Sequence, residues 1–400
     1  MSATSALPTG VAPTRFDVIV AGAGLPGLAL AGALAQDGLA VALADRDAIA
    51  APEPSDAFDT RVYAVSPGSA AFLDRIGAFA RLPAERLTAV ESMRIEGDAG
   101  GELAFFAHEL DVRALAWIVE ERVLRRALVE CAHAAGATMV APARFSRLAF
   151  DAAGASLTLD DGTTLGARLV VAADGLRSWV REAAGIVAVP RPYPQIAVVA
   201  NFACAKPHHG RARQWFRADG GVLAFLPLPD DCISIVWSAP IAQGEALAAM
   251  SPADLATQVG EASAHVQGEL TLREGPAKFP LAFLRPPAVV AHRLALLGDA
   301  AHGVHPLAGQ GVNLGFGDAA VLAGILHERG AVGDPGAPIL LERYARRRAE
   351  PVLAMQTLTD ALARVFGIDR RWLAGLRNHG MTTIDRLGVV KRALAQPALR

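Results

Sequence analysis

The sequence predicts an α/β chain, and three observations predict it. A short β-branched run, FDVIV at 16–20, passes through a glycine turn into an Ala- and Leu-rich stretch, the order strand–turn–helix. The middle of the chain, 190–285, alternates in strand fashion, as in QIAVVANFAC, RQWFRADGGVLAFLPLP and CISIVWSAP. From residue 340 the spacing becomes helical, with Leu358, Leu362, Val365 and Phe366 on one stripe that is expected to pack on the domain begun by the glycine turn.

Four hundred residues are too many for one small core, so at least two domains are expected. With 52% apolar and 20% charged residues, a sizeable core is available and wholesale disorder is excluded. The net charge of −2 leaves no electrostatic footprint for nucleic acid, which is not expected as a partner. The charge is unevenly spread: from 342 to 400, twelve Lys/Arg stand against five Asp/Glu. A basic tail suits an anionic membrane surface; the plainer reading is a solvated helical face. Cys131, Cys204 and Cys232 fit no metal spacing and read as buried thiols of a reducing compartment, so a cytoplasmic location is expected. Residues 18–35 carry no charge over nearly a membrane-spanning length, but Gly22, Gly24, Pro26, Gly27 and Gly32 interrupt them. The arm before them has a single basic residue at its far end and makes a poor signal peptide. The expectation is a soluble chain, or one seated peripherally at the inner face of a membrane.

The first unit is the strand at 16–20, then Gly22-x-Gly24-x-x-Gly27, a helix from about 28 to 36, and a second strand at 39–44 closed by Asp45. The first glycine permits the tight turn. The second lets backbone approach a pyrophosphate, and the third lets helix pack on sheet. The helix N-terminus offers free N–H groups to the phosphates, and Asp45 accepts hydrogen bonds from ribose hydroxyls. This context points to dinucleotide binding, although the unit alone does not separate NAD from FAD.

Two later stretches have similar grammar. LVVAADGLRSWVRE (169–182) is a strand running into Asp174-Gly175, with a helix opening near Ser178 and a hairpin upstream around Asp160-Asp161-Gly162. Read alone, Asp174 could equally start a turn. GDAAHGVHPLAGQGVNLGFGD (298–318) follows a strand at 294–297 and leads to a helix starting near Val312 or Asn313. Asp299 suits a ribityl or ribose hydroxyl, and the turn at Gly309-Gln310-Gly311 presents bare N–H groups to something flat and electron-rich. His302 and His305 with Asp299 do not make a metal site, because no fourth ligand is placed; no metal is expected, and His305 reads as a packed loop histidine.

GAGLPG with its aspartate, DTRVYAVS, ADGLRS and the 298–318 run together resemble the class A FAD monooxygenases, and more narrowly the aromatic hydroxylases of ubiquinone biosynthesis (UbiH/UbiF/VisC type). The resemblance implies a Rossmann-like FAD-binding domain (GR2-type) with an interleaved, mostly antiparallel β-sheet substrate domain and a C-terminal helical segment. The expected division is 1–75, 104–183 and 285–345 for the FAD domain, 76–103 and 184–284 for the substrate domain, and 346–400 for the helical segment. Gly22, Gly24, Gly27 and Asp45 match the ADP-binding fingerprint, and Arg61 an arginine near the cofactor. Asp174 and Gly175 match a motif tied to FAD and NAD(P)H, and Asp299 the aspartate on the ribityl chain. Pro306, Gly309, Gln310, Gly311, Val312 and Asn313 match the loop and helix start along the flavin face. Glu121 departs from the pattern: relatives often carry Asn, Gln or His there.

The activity implied is ring hydroxylation of a polyprenyl phenol or quinol. NAD(P)H reduces FAD, the flavin takes up O2 as a C4a-hydroperoxide, and the electron-rich ring attacks the distal oxygen. No single protein side chain is expected to carry the reaction; positioning and water exclusion fall to the protein. Other expected partners are further ubiquinone-biosynthesis proteins. Two alternatives stay open: another small aromatic substrate, or a flavin-binding subunit without turnover, against which the intact motifs argue. Phe216, Phe225, Leu226, Pro227 and Trp237 are candidate pocket residues, or plain core.

Overall fold

In the computed structural model, which describes residues 14–152, 154–305, 309–330, 332–366 and 371–399, the chain begins with β1 (Thr14–Ala21), α1 (Leu25–Gln36) and β2 (Val41–Ala44). Next come β3 (Val62–Val65), α2 (Pro67–Arg75), β4 (Thr88–Val90), β5 (Ser92–Glu96), β6 (Glu102–Phe106) and β7 (Ala116–Glu120). They are followed by α3 (Glu121–Ala134), β8 (Thr138–Val140), β9 (Phe145–Phe150), β10 (Ala155–Leu159), β11 (Thr164–Ala172) and α4 (Trp179–Ala183). The long-stranded region holds β12 (Arg191–Cys204), β13 (Arg211–Phe216), β14 (Val222–Leu228), β15 (Cys232–Pro240), α5 (Ile241–Ala248), α6 (Pro252–Ala262) and β16 (Leu270–Phe283). The last elements are β17 (Val290–Ala291), β18 (Leu294–Leu296), α7 (Gln310–Glu328), α8 (Pro338–Phe366), α9 (Arg371–Arg386) and α10 (Gly388–Leu399).

The first sheet runs β17-β18-β11-β1-β2-β8, with the β9–β10 hairpin joined antiparallel to β11. β18, β11, β1, β2 and β8 are parallel, and Ala21 lies beside both Ala172 and Ala44 while Ala172 lies beside Leu296. Val18, Ile19, Val20 and Ala21 are all buried because helices cover one face and the β9–β10 hairpin with α4 covers the other, which explains a continuous apolar strand in place of an alternating one. α1 is apolar around its whole circumference for the same reason: it is sandwiched between the sheet, α3 and α7. The register puts the carboxyl ends of β1, β2, β11 and β18 along one edge, where open α/β sheets bind ligands.

The second sheet has seven strands in the order β16-β12-β15-β14-β13-β5-β6, antiparallel except where β13 meets β5. Its outer face carries Val198, Ile235, Trp237, Leu223 and Phe225, buried under Leu247 of α5 and Leu255 and Val259 of α6. Its inner face turns to the first sheet, and a small sheet of β3-β7-β4 lies between them. The expected boundary at residue 104 falls inside β6, and β4, expected in the substrate segment, pairs with β7.

The C-terminal stripe does not pack as expected. Phe366 stacks on Phe216 of β13 with ring centroids 3.7 Å apart, and Leu362 joins them, so the contact is with the second sheet and not with the dinucleotide domain. Leu358 and Val365 remain exposed. Arg377 of α9 is paired with Asp98 in the β5–β6 turn, both side chains nearly inaccessible, which locks the helical segment onto the edge of that sheet.

Candidate active site

Three glycine-bearing segments converge at the sheet edge, and steric limits explain why each must be so lean. Gly22 has φ +113°, and a Cβ there would come within 2.3 Å of Ala173 O. One on Gly27 would come within 2.1 Å of Gly22 O and 3.2 Å of Ala173 Cβ. The β1 turn therefore sits directly on the strand end that leads to Asp174. On its other side Pro26 lies against the third segment: a Cβ on Gly315 would be 2.5 Å from Pro26 Cγ and 3.5 Å from Gly298 Cα. Gly24 behaves differently. It begins α1, and its Cβ direction meets nothing within 4 Å. This is a cradle that a side chain would fill and that a phosphate fits.

Asp45 ends β2 with Oδ2 accepting from Ala23 N at 2.5 Å and Oδ1 from Asp47 N at 2.9 Å. Arg125 of α3 donates to Ala23 O at 2.8 Å, which brings a guanidinium to the same turn. A cleft of about 490 Å³ opens beside it, lined by Phe58, Asp59, Glu121, Arg122, Arg125 and, from the second sheet, Glu274. Arg61 pairs with Glu121 at 3.2 Å and lies 4.4 Å over the Phe279 ring of β16. Burial pushes the Tyr63 phenol well up, and Glu121 and Asp299 add to this while Arg61 opposes it. These four ionisable side chains thus share one electrostatic neighbourhood. Burial by the surrounding protein likewise raises the Asp299 carboxyl, although its surface is accessible, as for a group on the wall of a deep cleft. No described residue donates a hydrogen bond to it.

Asp174 does what its turn reading offered. It accepts from Ser178 Oγ and, at 3.0 Å, from Val180 N, and Ser178 caps α4 by accepting from Arg181 N at 2.9 Å. Gly175 beside it has φ +84°. Buried Arg181 then reaches Ala300 O at 3.0 Å and Leu176 O at 3.1 Å, tying the second segment to the third. α7 starts at Gln310, two to three residues earlier than expected, with Gly309 in the left-handed region at φ +63°. Gln310, Gly311 and Val312 form its first turn, and Asn313 bridges to β3: it donates to Ala64 O at 2.8 Å and accepts from Ser66 N at 2.9 Å. Pro306 lies outside the described residues.

The FAD binding domain family matches residues 15–359. This chain belongs to that family. Among its relatives, the ubiquinone hydroxylase UbiL of Rhodospirillum rubrum is 37% identical over 98% of this chain and 91% of its own length. The 3-demethoxyubiquinol 3-hydroxylase of Escherichia coli is 33% identical over 96% of this chain and 98% of its own. The crystal structure of Pseudomonas aeruginosa PqsL in complex with 2-aminobenzoylacetate has a TM-score of 0.74 at 26% identity, covering 91% of this chain and all of that one.

As a member of the FAD-binding family the chain takes FAD, and its residues fit the group. The open cradle at Gly24 and the α1 N-terminus would receive the pyrophosphate. Asp45, at the end of β2, would accept from the ribose hydroxyls. Asp299, accessible and without a donor among the described residues, would meet the ribityl chain, and the first turn of α7 would lie along the ring system. Arg61 is present near these groups but is committed to Glu121 and Phe279. Asp174 and Gly175 shape the edge through backbone and cap, and the Asp174 carboxylate is already engaged.

Sequence reasoning missed three contributors. Tyr63 sits inside the DTRVYAVS motif but was overshadowed by Arg61. Asp318, at the end of the 298–318 run, accepts from Gly298 N at 2.9 Å, His302 Nε2 at 2.7 Å and Arg348 Nε at 2.6 Å, so it braces the turn that carries Asp299. Arg125 gave no signal beyond its place on a helix. Of the five pocket candidates, Phe225 and Trp237 belong to the outer core, Pro227 has the same outward parity, and Phe216 is taken by Phe366. Only Leu226 faces inward with part of its surface open.

Proposed function

We propose that this chain hydroxylates the aromatic ring of a neutral polyprenyl phenol or quinol intermediate of ubiquinone biosynthesis, with FAD, NAD(P)H and O2. One ring C–H becomes C–OH, NAD(P)H supplies two electrons, and the second oxygen atom leaves as water with a proton from solvent. Bound FAD supplies hydride acceptance and O2 activation. The chain supplies the cradle at Gly22, Gly24 and Gly27, the carboxylates of Asp45 and Asp299, the first turn of α7 from Gln310 to Asn313, and a wall of sheet that keeps water from the ring.

The observation that carries this reading is the chemistry of the sheet's inner face. From Ala197 to Ala203 of β12, and across β15, β14 and β13, every inward-facing side chain is uncharged. Arg61, across the cleft, is already paired with Glu121. A benzoate-like carboxylate would be buried there without a counter-charge, at a cost of several kcal/mol, on the order of a buried lone ion. A neutral ring with apolar substituents meets no such penalty. The names of the two relatives above, a ubiquinone hydroxylase and a 3-demethoxyubiquinol 3-hydroxylase, support the same class.

A peripheral seat on the membrane that dissolves such a substrate is part of the proposal. No helix of the described residues is long and apolar enough to cross a bilayer. The solvent side of α8, however, exposes Leu353, Leu358 and Val365 beside Arg364, the mixture of apolar and basic groups that anionic lipid surfaces hold.

The test is turnover by the FAD-loaded chain. A phenol with a short prenyl chain should trigger NAD(P)H oxidation and yield product carrying oxygen from labelled O2, while 4-hydroxybenzoate should trigger neither. The reverse preference, or no hydroxylated product from any phenol, sinks the reading.

A further inference from the structure

We infer that Gln214 of β13 and Ser234 of β15 grip the ring oxygens of the substrate, and that Ala224 and Val236 between them form the floor on which the ring lies. This rests on the reading of the substrate as an aromatic phenol or quinol.

The floor is identified by exposure in the wrong place for a sheet interior. β14 and β15 are each paired on both sides, yet Ala224, Leu226 and Val236 all keep part of their surface accessible. They face inward, so space lies above them. The two ends of the same face are closed. Ala64 and Ile118 cover Ala212 and Leu228 at one end, and Phe366 covers Phe216 and Val222 at the other. The open band is the middle.

The register then shows which polar groups border that band. Gln214 lies opposite Ala224, and Ala224 opposite Val236, in one line across three strands. Ser234 is two residues from Val236 on the same face and lies opposite Asn201 of β12. With strands about 4.8 Å apart, the line from β13 to β15 spans roughly 10 Å, room for one aromatic ring and its substituents.

Each of these groups has a polar atom without a partner among the described residues. Gln214 is 4% exposed, and its amide makes no hydrogen bond to a described residue. Ser234 is fully buried with Oγ unpartnered. Asn201 gives Nδ2 to Asp59 O at 2.8 Å and leaves Oδ1 unpartnered. Buried polar groups are almost always hydrogen-bonded, and each one left unmade costs about 1–3 kcal/mol. Two such atoms, Ser234 Oγ and Asn201 Oδ1, beside the unbonded amide of Gln214 on one patch of an otherwise apolar face point to a ligand that completes them. The chemistry of the pair is neutral. An amide both donates and accepts, and a hydroxyl does the same, so together they suit a phenol O–H or a methoxy or quinone oxygen and offer no counter-charge to a carboxylate.

The experiment uses the FAD-loaded full chain and reads ligand affinity from the change in flavin absorbance on titration. The probes are a hydroquinone bearing a short prenyl chain and the same prenylated benzene without ring oxygens. Gln214→Leu and Ser234→Ala should each weaken the hydroquinone by about tenfold, the equivalent of one lost hydrogen bond, and change the oxygen-free probe less than twofold. Ser234→Ala deletes a single oxygen and carries the test should Gln214→Leu not fold. Equal affinity of the hydroquinone for both variants and the parent overturns the grip assigned here and leaves the substrate class standing. Equal weakening of both probes also overturns it, because that is the mark of lost packing. A parent protein that binds 4-hydroxybenzoate and neither prenylated probe removes the substrate reading, and the grip with it.

Discussion

The backbone N–H of Gly298 donates to Asp318 Oδ2 at 2.9 Å, so the turn that carries Asp299 hangs from a carboxylate in the next helix. Asp318 is 1% exposed and also holds His302 and Arg348. Burial alone would raise its pKa, but His302 and Arg348 outweigh it and hold the carboxyl below its usual range. Asp318→Ala leaves Arg348 Nε and the turn N–H without an acceptor and the buried guanidinium without its counter-charge. The expected loss is about 3–5 kcal/mol of stability at neutral pH, measured by urea unfolding, with weaker FAD retention. The sign with pH follows from the depressed value. Stabilisation is complete above the ordinary carboxylate range and disappears as pH falls through the folded value, so parent and variant should converge in acid. A constant difference down to acid unfolding would show that the carboxylate charge is not what matters.

Gly24 and Gly27 should separate cofactor approach from packing. A methyl at Gly24 enters open space, so Gly24→Ala should melt within about 1 kcal/mol of the parent yet purify with little flavin absorbance. A methyl at Gly27 lands on Gly22 O, so Gly27→Ala should lower the melting temperature as well as the flavin content, with overpacking costing about 1–3 kcal/mol or more. If both variants bind FAD like the parent, the pyrophosphate does not lie on this turn.

Much of this was legible in the sequence because it concerns positions where only glycine serves. Gly22 with positive φ, Gly27 against a carbonyl and Gly309 in the left-handed region leave a mark that composition cannot hide. The sheet edge followed from three strand–turn units of the same form. Other features were not legible because distant partners decide them. Alternation in β14 and β15 assigns Leu226 and Trp237 to opposite faces but does not say which face meets α5 and α6. Asp174 looked alike as a ligand and as the start of a turn until Ser178 and Val180 were placed beside it. The role of Asp318 depended on Arg348, thirty residues away on α8. Phe366 found Phe216 because the helical segment folds over the second sheet, which its own periodicity could not foresee.

His305 is the clearest pH-sensitive group outside the carboxylates. It is fully buried, bonded through Nε2 to Gln195 Oε1 at 2.8 Å, and set edge-on to Tyr193. Burial lowers its pKa from 6.5 to about 4, with Asp360 opposing. Between those values the unfolded chain binds the proton and the folded chain does not, so stability falls as pH drops from 6.5 towards 4. The loss is on the order of 3 kcal/mol by the free energy of a pKa shift. His305→Gln should lose less over that interval, read as the difference between the two proteins' unfolding curves at pH 7 and pH 4.5. Parallel curves would mean that His305 is protonated as easily in the folded chain as in the unfolded one.

Glu121 should be the residue that holds back cofactor affinity. It opens α3 on the wall of the cleft and pairs with Arg61 at 3.2 Å, so it places a negative charge near the glycine turn that would receive the doubly charged pyrophosphate, and it occupies a nearby arginine. Its side chain is 29% accessible, so solvent screens the effect, and the net repulsion is about 1 kcal/mol or less. Glu121→Gln keeps the shape, removes the charge and frees Arg61. The expected outcome is FAD binding several-fold tighter in a fluorescence titration at low salt, with the gain shrinking as ionic strength rises. Weaker binding by the amide would instead mean that Arg61 must be held by Glu121 to leave room for the cofactor, and that the pair acts as a strut and not as a source of repulsion.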